Sequence, residues 1–235
     1  MAERRRAEFR AGVRSGLPIV LGYIPIGVAY AIIARRAGLS TLETVLMSLL
    51  VYAGASQMMA AGMLAQGAAV PVIVLATLIM NLRHLIMSLC VQNRIRGARL
   101  PGRLLASCWV TDESFAVFTT GGRERDSLWY FLGMASAAYF AWVLSSLAGA
   151  LVMDLLPAIL TASLGIALYA MFVALLLPHV CGNARLGLLV LFTALANWGL
   201  GCIMAASWAL IVSTLLGAFA GLFFVELGEE GTEDA

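Results

Sequence analysis

The sequence predicts an all-α, polytopic membrane protein whose helices form a transmembrane bundle. Hydrophobic residues make up 62% of the 235 residues, whereas a soluble domain contains about 45–50%. Charged residues make up 12% of the chain, about half of the usual 25%. A soluble globule of this size cannot cover its surface with so few charges, so most of the chain is expected to lie in lipid. The long apolar runs show no period-2 alternation, which favours helices over a β-barrel.

About seven or eight hydrophobic segments are expected, because a helix needs about 20 residues to cross the hydrocarbon core. The predicted segments lie at 15–34, 45–66, 69–91, 104–120, 128–151 and 158–180, with two more inside 186–225 that part near 199–207. No soluble stretch is long enough to form a separate domain. Residues 1–235 are therefore expected to form a single integral membrane domain, with an Arg-rich N-terminal tail and an acidic C-terminal tail.

The first segment is rich in residues that interrupt helices. It reads GLPIVLGYIPIGVAY and contains Pro18, Gly22, Pro25 and Gly27. Proline and glycine at this density break or kink a helix. The segment is therefore expected either to be re-entrant or discontinuous, with the break near a bound substrate, or to be a kinked but complete span.

The distribution of arginine bears on this choice, because basic residues collect on the cytoplasmic side of a membrane. Arginines cluster at 4–14, 35–36 and 94–103. If each of the first three segments crosses the membrane, the first cluster lies inside and the other two lie outside. If the first segment enters and leaves on the same face, all three clusters lie inside.

A cation lies near the centre of the third segment, in the sequence Asn81-Leu82-Arg83-His84. An arginine at the bilayer centre costs about 2.5–3.5 kcal/mol on insertion scales, so it usually faces the bundle interior and meets water, a counter-charge or a ligand. Asn81 and His84 share a helix face, and Arg83 points about 100° away from His84. The structural alternatives are an ion pair that only fixes helix packing, and snorkelling to the interface.

Candidate partners for this arginine lie in the middle of the fourth segment, which reads Thr111-Asp112-Glu113-Ser114. Two adjacent carboxylates at membrane depth repel each other and are desolvated, which favours protonation of at least one of them. A protonatable acid at this depth is what a proton-coupled carrier needs. Either one carboxylate binds the arginine while the other faces a cavity, or the helix is broken here. The alternative is a purely structural pair, with Glu113 near an interface.

The second segment contributes Tyr52, Ser56 and Gln57 in the run YAGASQ. On a helix, Tyr52 and Ser56 are one turn apart, and the small residues between them let a helix or a substrate approach the backbone closely. Gln57 lies near mid-segment and needs a hydrogen-bond partner. The three are candidates for a binding site, with helix packing as the alternative. Near the C-terminus, Gly217 and Gly221 form a GxxxG pair typical of a helix contact within the fold or with a partner subunit.

The residue inventory argues against an enzyme. The chain has two histidines, no HExxH motif and no nucleophile motif beside a base, so no intramembrane hydrolysis, metal site or cofactor is expected, and no nucleic acid partner. Polar groups near the membrane centre suit a carrier or a channel. A membrane assembly protein that moves no solute has no need of them.

Five motifs follow one another along the chain: LPIVLGYIPIGVAYA at 17–31, YAGASQ at 52–57, LRHL at 82–85, TDESFA at 111–116 and LLPAI at 155–159. In this order they resemble those of the AzlC-type branched-chain amino acid permeases, the large subunits of two-component bacterial amino acid exporters. The similarity covers nearly the whole chain, from about residue 9 to residue 225.

The resemblance implies a multi-pass carrier of the bacterial inner membrane that uses the proton motive force to export valine, leucine and isoleucine, or alternatively another small solute. It also implies a small hydrophobic AzlD-type partner subunit. A zwitterionic substrate needs a cation or a helix N-terminus for its carboxylate, and an acid or carbonyls for its ammonium. Arg83, together with free N–H groups of a broken first segment, suits the first role. Asp112 or Glu113 suits the second, or carries the coupled proton.

Overall fold

The computed structural model describes residues 2–95, 97–122, 126–153, 173, 176–177 and 180–224. All regular structure in these residues is helical, as predicted. The helices are α1 (Ala2–Arg36), α2 (Thr41–Leu50), α3 (Gly54–Ala65), α4 (Val70–Arg94), α5 (Leu100–Cys108), α6 (Asp112–Thr120), α7 (Leu128–Val152), α8 (Ala184–Gly201) and α9 (Ala206–Phe224). Of these, α1, α4, α7 and α8 are long and apolar enough to cross a membrane. Apart from isolated positions, the segment predicted at 158–180 lies outside the described residues, as does the acidic tail.

The chain divides into two compact units. The first contains the described residues of Met1–Gly67 and Thr77–Leu168, and the second contains those of Ala68–Ala76 and Tyr169–Ala235. In the second unit α8 and α9 pack together, which confirms two helices within 186–225. A Cβ atom added to Gly217 would lie 2.5 Å from Thr193 Oγ1, and one added to Gly221 would lie 3.2 Å from Leu189 Cδ2. The GxxxG pair therefore forms a helix contact within the fold.

The first unit is built on a close contact between α1 and α7, its most extensive helix pair. Glycines on both helices meet the partner backbone: Gly12 lies against the Tyr130 carbonyl, and a Cβ atom on Gly149 would lie 2.8 Å from Val28 Cα. Small residues let two helix backbones approach this closely. Because residue numbers at the contacts increase in the same direction along both helices, α1 and α7 run parallel.

The Pro- and Gly-rich first segment is continuous within α1, so the re-entrant or discontinuous interpretation is wrong, and α1 is long and apolar enough for a complete span. Pro18, Gly22 and Pro25 lie on the exposed face of the helix, where a proline ring meets no packed neighbour. Gly27 instead faces α7, where a Cβ atom would collide with Ser145 Oγ. A transmembrane helix tolerates Pro and Gly when packing and local adjustment satisfy the backbone, and here that packing comes from α7.

The helix breaks occur in the second segment, which was predicted as one span, and in the fourth segment, where a broken helix was one of the two expected alternatives. The second segment is interrupted at 51–53, between α2 and α3, and the fourth at 109–111, between α5 and α6. The Gln57 amide donates to Ser48 Oγ at 3.3 Å. A straight helix would separate these two residues by about 13 Å along its axis, so α3 folds back beside α2. We call α2–α3 the first hairpin.

The α5–α6 pair forms the second hairpin. Both of its ends lie at the N-terminal end of α7: a Cβ atom on Gly102 would lie 2.5 Å from Leu128 Cδ2, and the rings of Phe118 and Phe131 are 5.1 Å apart. The first hairpin lies instead along the C-terminal half of α7, where Ser48 donates to Ser146 Oγ at 2.9 Å. The two hairpins therefore enter the unit from opposite ends.

The described part of α4 that belongs to the first unit runs antiparallel to α7. It begins near the first hairpin and ends at Arg94, whose guanidinium donates to Thr119 O at 2.9 Å. The same guanidinium forms a 3.3 Å ion pair with Asp126, just before α7 begins. Arg94 thus satisfies carbonyl groups at the C-terminus of α6 and holds the base of the second hairpin.

These elements form an internal repeat with a period of 58 residues. Adding 58 to positions 12–36 of α1, 41–50 of α2 and 54–65 of α3 gives 70–94, 99–108 and 112–123, which match α4, α5 and α6 within a few residues. Each repeat is a long helix followed by a hairpin. Because α4 runs opposite to α1 and the hairpins enter from opposite ends, the repeat has inverted topology.

The glycine contact between α1 and α7 predicts a matched pair of variants. Gly149→Ala places a methyl group against Val28, and overpacking of this kind costs about 1–3 kcal/mol. Gly22→Ala makes the same chemical change where nothing lies within 4 Å. We expect Gly149→Ala to lower the midpoint of thermal unfolding in detergent by several degrees and Gly22→Ala to leave it unchanged or higher. Equal midpoints for the two variants would contradict the close helix contact.

Candidate functional site

The tips of the two hairpins meet on α7. The ring of Tyr139 lies 4.9 Å from that of Tyr52, at the first tip, in an edge-on arrangement. The ring of Trp109, at the second tip, stacks on Tyr139 with centroids 5.1 Å apart. Trp142, one turn further along α7, lies 5.5 Å from the Tyr23 ring of α1. These ring contacts place both chain reversals beside the same stretch of α7.

Tyr52 occupies an unusual backbone position. Its φ is +44°, in the left-handed region that side-chain-bearing residues rarely adopt and that tends to mark functional sites. It is 5% exposed, and its hydroxyl is buried beside that of Tyr23. The sequence had suggested that Tyr52 and Ser56 lie one helical turn apart on the same helix. In the structure Tyr52 instead lies before α3 begins. No side chain caps the N-terminus of α3 at Ala53, so the positive end of that helix faces the tip region.

Gln57 anchors the first hairpin to α7. It is fully buried, and its Oε1 accepts a hydrogen bond from Trp142 Nε1 at 3.2 Å and one from Ala53 N at 3.2 Å. Since its amide also donates to Ser48, both polar ends of Gln57 are bound by protein. The structure thus places this candidate binding residue in a packing role.

Ser56 and Asn81 join the first hairpin to α4. Asn81 Nδ2 donates to Ser56 Oγ at 3.1 Å, and Ser56 Oγ donates to Ala53 O at 2.9 Å. Asn81 Oδ1 is buried without a partner. An acceptor in this state costs free energy unless a ligand or water completes it, which makes Asn81 a candidate contact for a donor group.

The second tip carries both acids. Thr111 is the N-cap of α6 and forms a capping box with Ser114, which orients the first turn of the helix. Asp112 and Glu113 follow directly in that first turn. A helix N-terminus stabilises negative charge, and the helix break places both carboxylates at that end of α6.

The predicted pairing of Arg83 with an acid is confirmed. Arg83 Nη2 lies 2.9 Å from Asp112 Oδ2, and the two side chains are 40% and 37% exposed. The pair therefore fixes α4 to the second tip but remains open on one side. Arg83 Nε is buried without a partner, so the guanidinium retains donor capacity beyond the ion pair. His84, half-buried on α4, lies close enough to Asp112 and Glu113 to interact with both charges.

Glu113 has a different partner. The hydroxyl of Tyr23 lies 2.6 Å from Glu113 Oε2 and 2.9 Å from Thr111 Oγ1. Tyr23 was not singled out in the sequence, although it lies within the first quoted motif. A signal was available in principle, because Tyr23 precedes Asn81 by the 58-residue period of the repeat, and each contacts the hairpin of the other repeat.

Comparison with known proteins decides the family. The family model described as AzlC protein matches residues 18–156. The chain belongs to the AzlC family. It is 33% identical over 179 residues to the inner membrane protein YgaZ of Escherichia coli K12, covering 73% of each chain. It is 29% identical over 146 residues to the branched-chain amino acid transport protein AzlC of Bacillus subtilis 168, covering 61% of this chain and 57% of the relative.

A further relative is an uncharacterized membrane protein of Archaeoglobus fulgidus, 32% identical over 183 residues, covering 76% of this chain and 79% of the relative. No solved structure matches the chain. The resemblance inferred from the motifs is thus confirmed. The AzlC match at 18–156 contains both hairpin tips and the Arg83–Asp112 pair, so the site lies in the part of the chain that defines the family.

The ion pair predicts non-additive effects on stability. In Arg83→Gln or Asp112→Asn alone, one charge at membrane depth loses its partner, whereas the double variant leaves no lone charge. We expect each single variant to lower the midpoint of thermal unfolding in detergent more than the double variant does. Arg99→Gln, at an exposed position, is the control and should leave the midpoint unchanged. Additive losses would mean that the two side chains do not interact.

Proposed function

We propose that this AzlC-family protein is a secondary carrier that exports branched-chain amino acids across the bacterial inner membrane, driven by the proton motive force. The observation that carries the proposal is the partly open Arg83–Asp112 pair at the junction of two hairpin tips. Secondary transporters commonly combine inverted repeats with discontinuous helices, and they bind substrate where the breaks meet. The Bacillus subtilis relative is a branched-chain amino acid transport protein, which supports the choice of substrate.

A zwitterion can replace the ion pair without a change in net charge. The carboxylate of the substrate would bind Arg83, assisted by the uncapped N-terminus of α3. The ammonium of the substrate would bind Asp112 or Glu113, with Asn81 Oδ1 as a further acceptor. The aliphatic side chain would lie against the aromatic rings at the tips. Each charge of this partly exposed pair then keeps a partner both before and after binding, which avoids the cost of an unpaired charge.

The proton motive force is large enough for this task. Moving one charge across 100 mV is worth about 2.3 kcal/mol. One coupled proton therefore supports a gradient of roughly fifty-fold at that potential.

Arginine placement supports an inside position for the N-terminus. The N-terminal arginines lie at the same end of the first unit as Arg94, Arg99 and Arg103, while Arg35 and Arg36 lie at the opposite end of α1. Basic residues favour the cytoplasmic side. We infer that the second hairpin enters from the cytoplasm and the first from the opposite side.

A small AzlD-type membrane subunit is the proposed partner. In α8 no described residue is buried, and Trp198 is 73% exposed. Such a surface needs lipid or another membrane protein to cover it. Whether transport requires this subunit is tested by expressing the chain with and without a small membrane protein encoded beside it.

Efflux measurements test the proposed function. Cells loaded with branched-chain dipeptides should export valine, leucine and isoleucine faster when they express the chain, with saturation at high internal concentration and loss on addition of a protonophore. Non-saturating flux would indicate a channel. No efflux from cells that express the chain, with or without the small subunit, would indicate a membrane protein that moves none of these solutes.

A matched pair of arginine variants assigns the site. Arg83→Ala removes the proposed carboxylate partner and should reduce valine efflux at least tenfold at equal expression. Arg99→Ala removes the same charge at an exposed helix end and should keep near-wild-type efflux. Full efflux by both Arg83→Ala and Asp112→Asn would show that the site lies elsewhere.

A further inference from the structure

The hydroxyl group of Tyr23 occupies a position that constrains its single proton. Tyr23 is 7% exposed and contacts two oxygens, Glu113 Oε2 at 2.6 Å and Thr111 Oγ1 at 2.9 Å. A phenol has one proton to donate, so it can donate to only one of these oxygens and must accept from the other. The direction of the hydrogen bonds is therefore set by whether Glu113 holds a proton.

When Glu113 is ionised, every group can be satisfied in one direction. Tyr23 donates to the carboxylate, and the Thr111 hydroxyl donates to Tyr23. The backbone N–H of Ser114 donates to Thr111 Oγ1 at 3.3 Å, and the Ser114 hydroxyl donates to Thr111 O at 3.1 Å. The negative charge accepts a short, charge-assisted hydrogen bond.

When Glu113 is protonated, the same oxygens can be satisfied in the reverse direction. Glu113 donates to Tyr23, Tyr23 donates to Thr111 Oγ1, and the Thr111 hydroxyl turns to Ser114 Oγ at 3.2 Å. Ser114 keeps both of its bonds to the Thr111 backbone. The chain of hydroxyl groups thus accommodates either charge state without moving a heavy atom.

The two acids differ in their surroundings. Asp112 is held by Arg83 at 2.9 Å, so protonation of Asp112 would leave the guanidinium without its counter-charge. The ion pairs recorded among the described residues place no cation on Glu113. The other titratable or charged groups around Glu113 are Tyr52 from the first hairpin, Arg83 and His84 from α4, and Asp112 from its own helix.

The internal repeat shows that this arrangement is specific to one tip. The positions 58 residues before Asp112 and Glu113 are Gly54 and Ala55, at the N-terminus of the first hairpin's second helix. Asn81, the counterpart of Tyr23, contacts Ser56 there, and no acid is present. A proton can therefore be carried at the second tip and not at the related position of the first.

We propose that Glu113 is the group that takes up and releases the coupled proton, and that Tyr23 and Thr111 are positioning residues that stabilise both of its charge states. The inference rests on the proposed carrier function. One proton adds to the carboxylate from water on one side and leaves to water on the other, and no other bond forms or breaks. Arg83 and Asp112 remain paired, or bind substrate, throughout the cycle.

The test uses the full-length chain in proteoliposomes and two measurements on each variant. Exchange of labelled valine for unlabelled valine needs no net proton movement, whereas accumulation driven by a pH gradient does. We expect Glu113→Gln to reduce accumulation at least tenfold more than exchange. Asp112→Asn, the matched change at the neighbouring acid, should reduce both together.

The positioning residues are tested by the pH at which net flux is half-maximal. Tyr23→Phe keeps the ring beside Trp142 but removes the hydroxyl from both charge states. The bond to the ionised carboxylate is the stronger of the two that are lost, so the half-maximal pH should rise by about one unit. Thr111→Val should change the profile and Thr111→Ser, which keeps the hydroxyl, should restore it.

Three results would overturn the inference: undiminished accumulation in Glu113→Gln, selective loss of accumulation in Asp112→Asn, or an unchanged pH profile in both Tyr23→Phe and Thr111→Val. If Glu113→Gln loses both exchange and accumulation, the pH profiles of Tyr23→Phe and Thr111→Val decide whether Glu113 carries the coupled proton. Absence of valine exchange by the wild-type chain, both alone and reconstituted with the small subunit, would overturn the proposed function itself, and this inference with it.

Discussion

A break in a helix leaves backbone N–H and C=O groups unpaired, and lipid offers them nothing to bond with. The first unit contains two such breaks, at 51–53 and 109–111, so its packing must keep both away from lipid. The parallel contact of α1 and α7 supports both breaks, because glycines bring the two backbones close and the rings of Tyr23, Tyr139 and Trp142 pack beside the hairpin tips. The polar site lies beside these rings.

The inverted repeat explains how one fold produces two unlike tips. Positions related by 58 residues share a backbone role, since Tyr23 and Asn81 each contact the hairpin of the other repeat. Their side-chain chemistry has diverged: Arg83 corresponds to Pro25, and Asp112 corresponds to Gly54. All three charges of the site therefore belong to the second repeat. The first repeat supplies an uncapped helix N-terminus and aromatic surface, which suits a substrate that carries its own charges.

The sequence revealed the ion pair but not the hairpins, for a physical reason. Arg83 and Asp112 stand out because charge is costly at membrane depth, and this holds whatever the neighbours are. The break at 51–53 has no local signal, because Val51 and Tyr52 are ordinary residues in an apolar run. The reversal depends instead on hydrogen bonds that Gln57 forms with Ser48 and Trp142. Pro18 and Pro25 carried a strong local signal that tertiary packing overrode. The break before α6 was visible in part, since Thr111 and Ser114 have the spacing of a capping box.

The structure matches neither of the two expected arginine arrangements in full. The described arginines of the 94–103 cluster lie at the N-terminal end of the first unit, which requires one of the first two segments to return to the end at which it began. Proline pointed to the first segment, but the second is the hairpin, so α4 carries its arginines back to the N-terminal end. Arg35 and Arg36 lie at the far end of α1, and they have a local reason to be there. They lie in the last turn of α1, where cations offset the negative end of the helix dipole, and Arg35 donates to Leu39 O at 2.9 Å. A charge count along the sequence therefore indicates that a segment reverses, and packing decides which one.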